Sequence, residues 1–223
     1  MRVREFMTTN VITVSSRTSI IDARKYMVTH GIRRLPVVDN GRLVGIVSFR
    51  KITEAAPSAA TTLSVWEINH LLGKVTVGEL MKRDPVTITP DTTAESALAL
   101  AQERKVGALV VMDNGHLVGI VTTNDFVYRI MNPILGLGKP GVRLHVYGGG
   151  QARKIEEIVK IINKNNLEIE SIHVDDSAER NERDVIVQVN TKDPGKLIKD
   201  LSDAGYKIEI RERKSWPIQK EKE

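Results

Sequence analysis

Asp39-Asn40-Gly41-Arg42-Leu43-Val44-Gly45-Ile46-Val47 returns 74 residues later as Asp113-Asn114-Gly115-His116-Leu117-Val118-Gly119-Ile120-Val121. In each copy an Asn-Gly pair sits between two apolar runs. That pair tolerates positive φ at both central positions of a tight turn, so each copy predicts strand, two-residue turn and strand. Carried outward, the same offset aligns residues 7–52 with 81–126 without a gap, and 14 of the 46 pairs are identical. Chance would give about three, and the period is longer than that of most solenoid repeats. Each copy is therefore expected to be a small domain-like unit that pairs with the other.

The flanks of the hairpin agree between copies. A short extended run, residues 11–14 or 86–88, precedes a helix whose apolar positions fall at helical spacing: Ile20, Ala23 and Met27, then Ala94, Ala97, Leu98 and Ala101. Thr92 with Glu95 has capping-box spacing, and Ser19 with Asp22 is its counterpart. Strands are predicted at 35–38 and 43–47, again in the second copy, with a closing helix from near Ser48 or Thr122.

Gly31-Ile32-Arg33-Arg34-Leu35-Pro36-Val37-Val38-Asp39, the Asn-Gly hairpin and the Gly-Ile-Val-Ser/Thr run, most of it present twice, resemble the CBS domain. That resemblance covers residues 1–132. It implies an α/β (α+β) fold of two β-α-β-β-α repeats, a tandem pair called a Bateman module, which binds adenosyl ligands in clefts between the paired sheets. The boundaries that follow are 1–56 for the first repeat, 57–74 for a helical connector and 75–132 for the second repeat. Within the connector, residues 64–72 read as a helix, and Trp66 reads as a packing residue rather than a ligand platform.

The same resemblance implies where a ligand sits. In the family an Asp three residues after a Ser or Thr, at the start of the last helix, holds the ribose hydroxyls. Thr122 and Asp125 match it, with Asn124 beside them. One carboxylate accepts from two vicinal hydroxyls, each charge-assisted bond being worth ~1.5–3 kcal/mol. Read without the family, Asp125 is a first-turn carboxylate that complements the helix dipole. The base would be met from the other repeat by Met7, Asn10, Ile12, Ile32 and Arg33, an apolar slot with a few polar edges. The first repeat departs from the pattern, since Lys51 stands where Asp125 would and cannot accept a hydrogen bond. The second cleft would be lined by Ser48, Arg50, Lys51, Arg34, Met81, Asp84, Val86, Val106 and Gly107, and is either empty or an anion site. Arg33 and Arg34 have the chemistry to meet a phosphate, while their equivalents are Gly107 and Ala108. The regulatory ligand stays open between AMP, ADP or ATP and S-adenosylmethionine, with AMP-type ligands favoured.

After Asn132-Pro133 the run Gly136-Leu137-Gly138-Lys139-Pro140-Gly141 reads as a linker over 133–141. A second domain is predicted at 142–213: strand 142–147, helix 152–163, strands 167–174 and 184–190, helix 194–204 and strand 206–211, the ferredoxin-like βαββαβ order. Helix faces are legible as Ile155, Ile158, Val159 and Ile162, and as Leu197, Ile198 and Leu201. This stretch resembles the ACT domain, which binds amino acids between paired subunits or serves only to dimerise. The candidate ligand loop is Gly148, Gly149, Gly150 and Gln151, though ligand-binding loops of that family carry Asp or Asn where Gln151 stands. Residues 214–223 read as a charged tail. The combination is similar to the acetoin-utilisation type of CBS-plus-ACT protein.

Composition bounds the rest. There is no cysteine, which excludes disulfides, thiol catalysis and cysteine-held metal. The net charge of +5 comes from 33 basic residues interspersed with 28 acidic ones, so no coherent patch invites nucleic acid. No apolar run approaches the ~18 residues of a membrane span. The five histidines, His30, His70, His116, His145 and His173, show no metal-ligand spacing, and neither a phosphate-binding glycine loop nor a catalytic triad motif is present. The expectation is a cytoplasmic, non-enzymatic homodimeric sensor with no catalytic residues, no metal and no required cofactor. It takes a small adenosyl ligand, an amino acid as a candidate second ligand, and acts on a regulated protein that the sequence does not identify. The rival reading is an interaction scaffold whose clefts are vacant, which Lys51 favours.

Overall fold

The computed structural model describes residues 1–55, 72–177 and 182–211, and the chain divides into two compact units, Met1–Phe126 and Val127–Glu223. The first unit contains both repeats. In the first repeat, helix α1 (Ile20–Thr29) is followed by the hairpin β1 (Arg34–Asp39) and β2 (Arg42–Ser48) and then α2 (Phe49–Glu54). A short helix, α3 (Val77–Leu80), leads into the second repeat: β3 (Thr87–Ile88), α4 (Ala94–Glu103), β4 (Ala108–Asp113), β5 (His116–Thr122) and α5 (Thr123–Asp125). The connector helix expected at 64–72, with Trp66, falls almost wholly outside the described residues.

Both turns are built as the Asn-Gly pairs demand. Asn40 and Gly41 have φ of 50° and 77°, and Asn114 and Gly115 have 47° and 81°. Even the irregularity repeats, because the antiparallel register shifts between Val37 and Val38 in one hairpin and between Val111 and Met112 in the other.

Two local expectations change. The run expected at 11–14 reduces to a parallel bridge between Val14 and Val37, whereas β3 forms in the second repeat. Pro36 is the reason: its counterpart Val110 donates to Val86 O at 3.0 Å, and a proline has no N–H to give. The cap of α4 is Thr93, whose side chain accepts from Ser96 N, while Thr92 Oγ1 accepts instead from Thr89 N. Ser19 caps α1 as expected, accepting from Asp22 N at 3.1 Å. Leu98 is 40% exposed, so the buried stripe of α4 is confined to Ala94 and Ala97.

Each repeat is completed by the segment that precedes the other. Residues 1–8 cross to the second repeat through bridges Arg2 to Thr93 and Thr8 to Ile120, and bury Val3 and Phe6 there. In mirror fashion Ser19 bridges Thr76 and Ile46 bridges Lys82, with Val77 buried in the first repeat. Close approach requires a glycine at each crossing. A Cβ on Gly119 would lie 2.6 Å from the Met7 sulfur, and one on Gly45 would lie 2.5 Å from the Met81 sulfur. The packing therefore crosses the sequence boundaries at 56 and 75.

The second unit contains β6 (Val142–Val146), α6 (Ala152–Lys164), β7 (Ile169–Ser177), β8 (Glu182–Val189), α7 (Gly195–Asp203) and β9 (Ile208–Arg211). Its sheet is antiparallel in the order β7-β8-β6-β9, the ferredoxin-like arrangement. Alternation along the strands puts Leu144, Val146, Val185, Val187 and Val189 on one face, where they pack with Ile158, Ile162, Leu197 and Leu201 from the helices. The stretch read as a linker is instead fastened to this unit. Gln188, 1% exposed, donates through Nε2 to Lys139 O and Pro140 O, both at 2.9 Å. Its Oε1 accepts from Arg143 Nη2 at 3.2 Å, so both ends of the buried amide are satisfied.

Candidate functional site

A cavity of about 320 Å³ opens inside the first unit between the two repeats. From the second repeat it is lined by Gly107, Ile120, Thr122, Thr123, Asn124 and Asp125, and from the first by Thr8, Asn10, Ile12, Ile32, Arg33 and Arg34 among others. Its size lies at the low end of small-molecule sites, and its chemistry is theirs: apolar walls with a few convergent polar groups. The charged groups arrive at strand and helix ends. Arg33 and Arg34 stand at the start of β1, and Thr122 to Asp125 run from the end of β5 into α5.

Asp125 is oriented by its own helix start. Its Oδ2 accepts from Thr122 N and from Thr122 Oγ1, both at 2.7 Å, a capping box. The dipole-complementing reading is thus realised in a group that has two oxygens and about four acceptor sites. The two bonds fix the direction in which the carboxylate faces the cavity.

Arg34 shows how the opposite wall is shaped. A Cβ on Gly107 would lie 2.9 Å from Arg34 Nη2, so the missing side chain is what lets the guanidinium rest there. Nη1 donates to Arg33 O at 3.1 Å. Burial, and then the neighbouring charge of Arg33, lower the pKa of Arg34 from its ordinary value, and a guanidinium so placed remains charged. Two cations and one carboxylate therefore share one cavity.

Of the residues that the sequence assigns to the adenosyl site, Thr122, Asn124, Asp125, Asn10, Ile12, Ile32 and Arg33 meet here. Met7 lies instead against Gly119. Arg34 and Gly107 line the Asp125 cavity. Val106 and Gly107 also line a neighbouring space of about 320 Å³ with Leu98, Ala101, Leu109 and Phe126. Met81 covers Gly45, and Val86 O accepts from Val110 N. Asp84 takes a left-handed φ of 54°. Ser48 Oγ accepts from Lys51 N at 3.2 Å as an ordinary cap, and Arg50 pairs with Glu54 at 2.6 Å. Thr8, Gly31 and Thr123 line the Asp125 cavity unassigned by the sequence. The repeat alignment carries no signal for them, because their partners at the same offset are Lys82, Lys105 and Phe49.

In the second unit the glycine loop packs closely against the sheet and α6. Gly148 N donates to Asp184 Oδ1 at 2.7 Å, and Gly150 N donates to Arg183 O at 2.8 Å. A Cβ on Gly149 would meet Ile158 Cδ1 at 2.7 Å, and one on Gly150 would meet the Arg183 backbone at 2.8 Å. Gln151 is the N-cap position of α6 and makes no side-chain cap bond. Among the described residues no group of three histidine or acidic side chains is arranged to hold a metal ion. No helix among them is long and apolar enough to cross a membrane.

Comparison with known proteins locates the repeats independently. The CBS domain family matches residues 3–58 and 77–132, and the GSKIP domain matches residues 155–223. An inosine-5′-monophosphate dehydrogenase of Korarchaeum cryptofilum is 34% identical over 146 residues, 65% of this chain, which spans only 27% of that enzyme. The crystal structure of an acetoin utilization protein (AcuB) of Vibrio cholerae is similar over 59% of this chain and 91% of its own, at 30% identity and a TM-score of 0.49. That of CBSX2 in complex with AMP is similar over 59% and 97%, at 32% identity and a TM-score of 0.49. The two family matches at 3–58 and 77–132 fall on the two copies of the hairpin repeat, and the chain belongs to the CBS domain family.

Proposed function

We propose that this protein is a non-enzymatic sensor that binds an adenosine phosphate, with AMP the simplest case, in the cavity between its repeats. The observation that carries the reading is the meeting of Thr122, Asn124 and Asp125 with Ile12, Ile32, Arg33 and Arg34 around one space. Asp125 accepts the ribose hydroxyls, Ile12 and Ile32 sandwich the base, and the paired guanidinium groups meet the phosphate, for which the arginine fork is suited. S-adenosylmethionine, cationic at sulfur, gains nothing from two arginines at that end. Binding regulates a partner to the extent that it favours one arrangement of the repeats over another. The second unit, ACT-like in topology, serves as the dimerising or amino-acid-binding part, and the protein works in the cytoplasm.

Thermal unfolding against AMP, ADP, ATP, S-adenosylmethionine and methylthioadenosine tests this. A ligand at a hundredfold excess over its Kd stabilises by ~2.7 kcal/mol, a readily measured shift. Asp125→Asn keeps an acceptor for the Thr122 N–H but loses the charge. It is expected to unfold close to the parent temperature while losing AMP affinity at least tenfold. Undiminished affinity in that variant refutes the site. The second reading, a scaffold with vacant clefts, is favoured by one observation: Lys51 leaves the first repeat without the acceptor that Asp125 supplies. A flat response to every nucleotide would select it.

A further inference from the structure

The space of about 320 Å³ that adjoins the nucleotide cavity at Gly107, Thr122 and Thr123 lies wholly within the second repeat. Buried Ala108, Leu109 and Val121 form its floor, and exposed Leu98, Gln102 and Lys105 form its rim. Its origin lies in the repeat itself. At the offset of 74, Ala101 and Thr123 stand where the first repeat has Met27 and Phe49. Met27 is 1% exposed, and it and Phe49 pack in the core of the first repeat with Leu35, Val47 and Ile52. The same scaffold with two smaller side chains leaves that volume open. Phe126 is larger than its counterpart Ile52 but does not close the space, and its ring packs on Phe6 with centroids 5.5 Å apart. Walls of this kind give water too few polar partners, and an apolar cavity takes an apolar guest.

Lys105 is the only ionisable residue among those that line the space. It follows the end of α4 with a left-handed φ of 51°, and its counterpart in the first repeat is Gly31, at φ 64°. Glycine is the residue that such a helix end favours. The second repeat therefore holds a cation at a backbone position that disfavours any side chain, on the rim of a cavity whose walls are apolar.

We propose that this space binds a small aliphatic monocarboxylate, its chain against Ala101, Leu109 and Phe126 and its carboxylate at the Lys105 ammonium. The chain removes apolar wall from water, and the single cation matches a single negative charge. Inorganic phosphate has no apolar part to cover those walls and loses hydration on entering. Neither Ala101 nor Lys105 lines the nucleotide cavity, so the site stands whether or not that cavity binds AMP.

Calorimetric titration of the full chain with hexanoate, hexanol and inorganic phosphate at constant ionic strength tests it. The expected result is saturable binding of hexanoate, weaker binding of hexanol and none of phosphate. Hexanoate affinity should persist in Asp125→Asn, which separates this site from the nucleotide cavity. Ala101→Met gives α4 the side chain that fills the first repeat, and is expected to weaken hexanoate and hexanol alike at least tenfold. Lys105→Gly suits the left-handed backbone and so keeps the fold. It is expected to weaken hexanoate several-fold and to leave hexanol unchanged. No saturable binding of hexanoate, undiminished affinity in Ala101→Met, equal hexanoate affinity in Lys105→Gly and the parent, or loss of hexanoate in Asp125→Asn would each overturn the proposal.

Discussion

The two repeats of the first unit share a hairpin, a turn geometry, a bulge position and a crossing segment, and differ where chemistry is done. Lys51 stands against Asp125, and Arg33 and Arg34 stand against Gly107 and Ala108. These differences are reciprocal. The arginines of the first repeat and the carboxylate of the second face the same cavity, together with the glycine that makes room for Arg34. Both copies keep the scaffold, while the Asp125 cavity collects the carboxylate of one copy and the arginines of the other. Strand and turn positions carry the fold in both copies, whereas the differences in charge fall at two or three strand and helix ends.

The largest expected effect separates the crossing segments. Phe6 is 1% exposed and its ring lies 5.5 Å from that of Phe126, whereas its counterpart at the same offset, Leu80, is only partly buried against the first repeat. Phe6→Ala is expected to cost about 3–5 kcal/mol and Leu80→Ala at least about 1 kcal/mol less, as the smaller change in buried volume dictates. Denaturant unfolding of the two variants measures the difference. Equal costs would mean that the second repeat does not depend on its borrowed segment more than the first does.

Much of this architecture is legible in the sequence because it follows from period and turn chemistry. The Asn-Gly pairs fix two hairpins, and the alternation in residues 142–211 gives all six elements of the second unit within a few residues. What stays hidden has a physical reason in each case. The exchange of residues 1–8 and 75–82 is a long-range pairing, and the glycines that permit it, Gly45 and Gly119, read locally as ordinary strand positions. Thr93 displaces Thr92 as the cap because a one-residue choice between two threonines is decided by where the preceding chain enters, with Arg2 bridging Thr93. Of the site, the sequence supplies Thr122, Asn124, Asp125, Asn10, Ile12, Ile32 and Arg33 but places Arg34 in the other cleft. The side chain is long, and its destination depends on the gap left by Gly107. The hydrogen bonds of His145 with Asp184 at 2.8 Å and with Arg211 at 2.9 Å join three strands, so no local pattern announces them.

A smaller effect tests that gap. In Gly107→Ala the new Cβ meets the far end of a flexible side chain, so Arg34 swings aside and stability is expected to change by no more than about 0.5 kcal/mol. Affinity for AMP is expected to fall several-fold and that for adenosine to hold, because only the phosphate needs the guanidinium. Calorimetric titration of both ligands reads the split. A parallel loss for both would place Arg34 at the base or ribose instead.

The smallest expected effect tries to turn one repeat into the other. Lys51 sits in the first turn of α2, where a cation opposes the helix dipole, and Ser48 already caps that helix. Lys51→Asp gives α2 the arrangement that Thr122 and Asp125 have in the second repeat, and is expected to stabilise by about 0.3–1 kcal/mol. It supplies a ribose acceptor to the first repeat but no phosphate partner, since the positions opposite, Gly107 and Ala108, carry no charge. The stoichiometry of AMP is therefore expected to remain one per chain in this variant. Two AMP per chain would show that a carboxylate alone makes a site, and that the arginines are not what sets the two repeats apart.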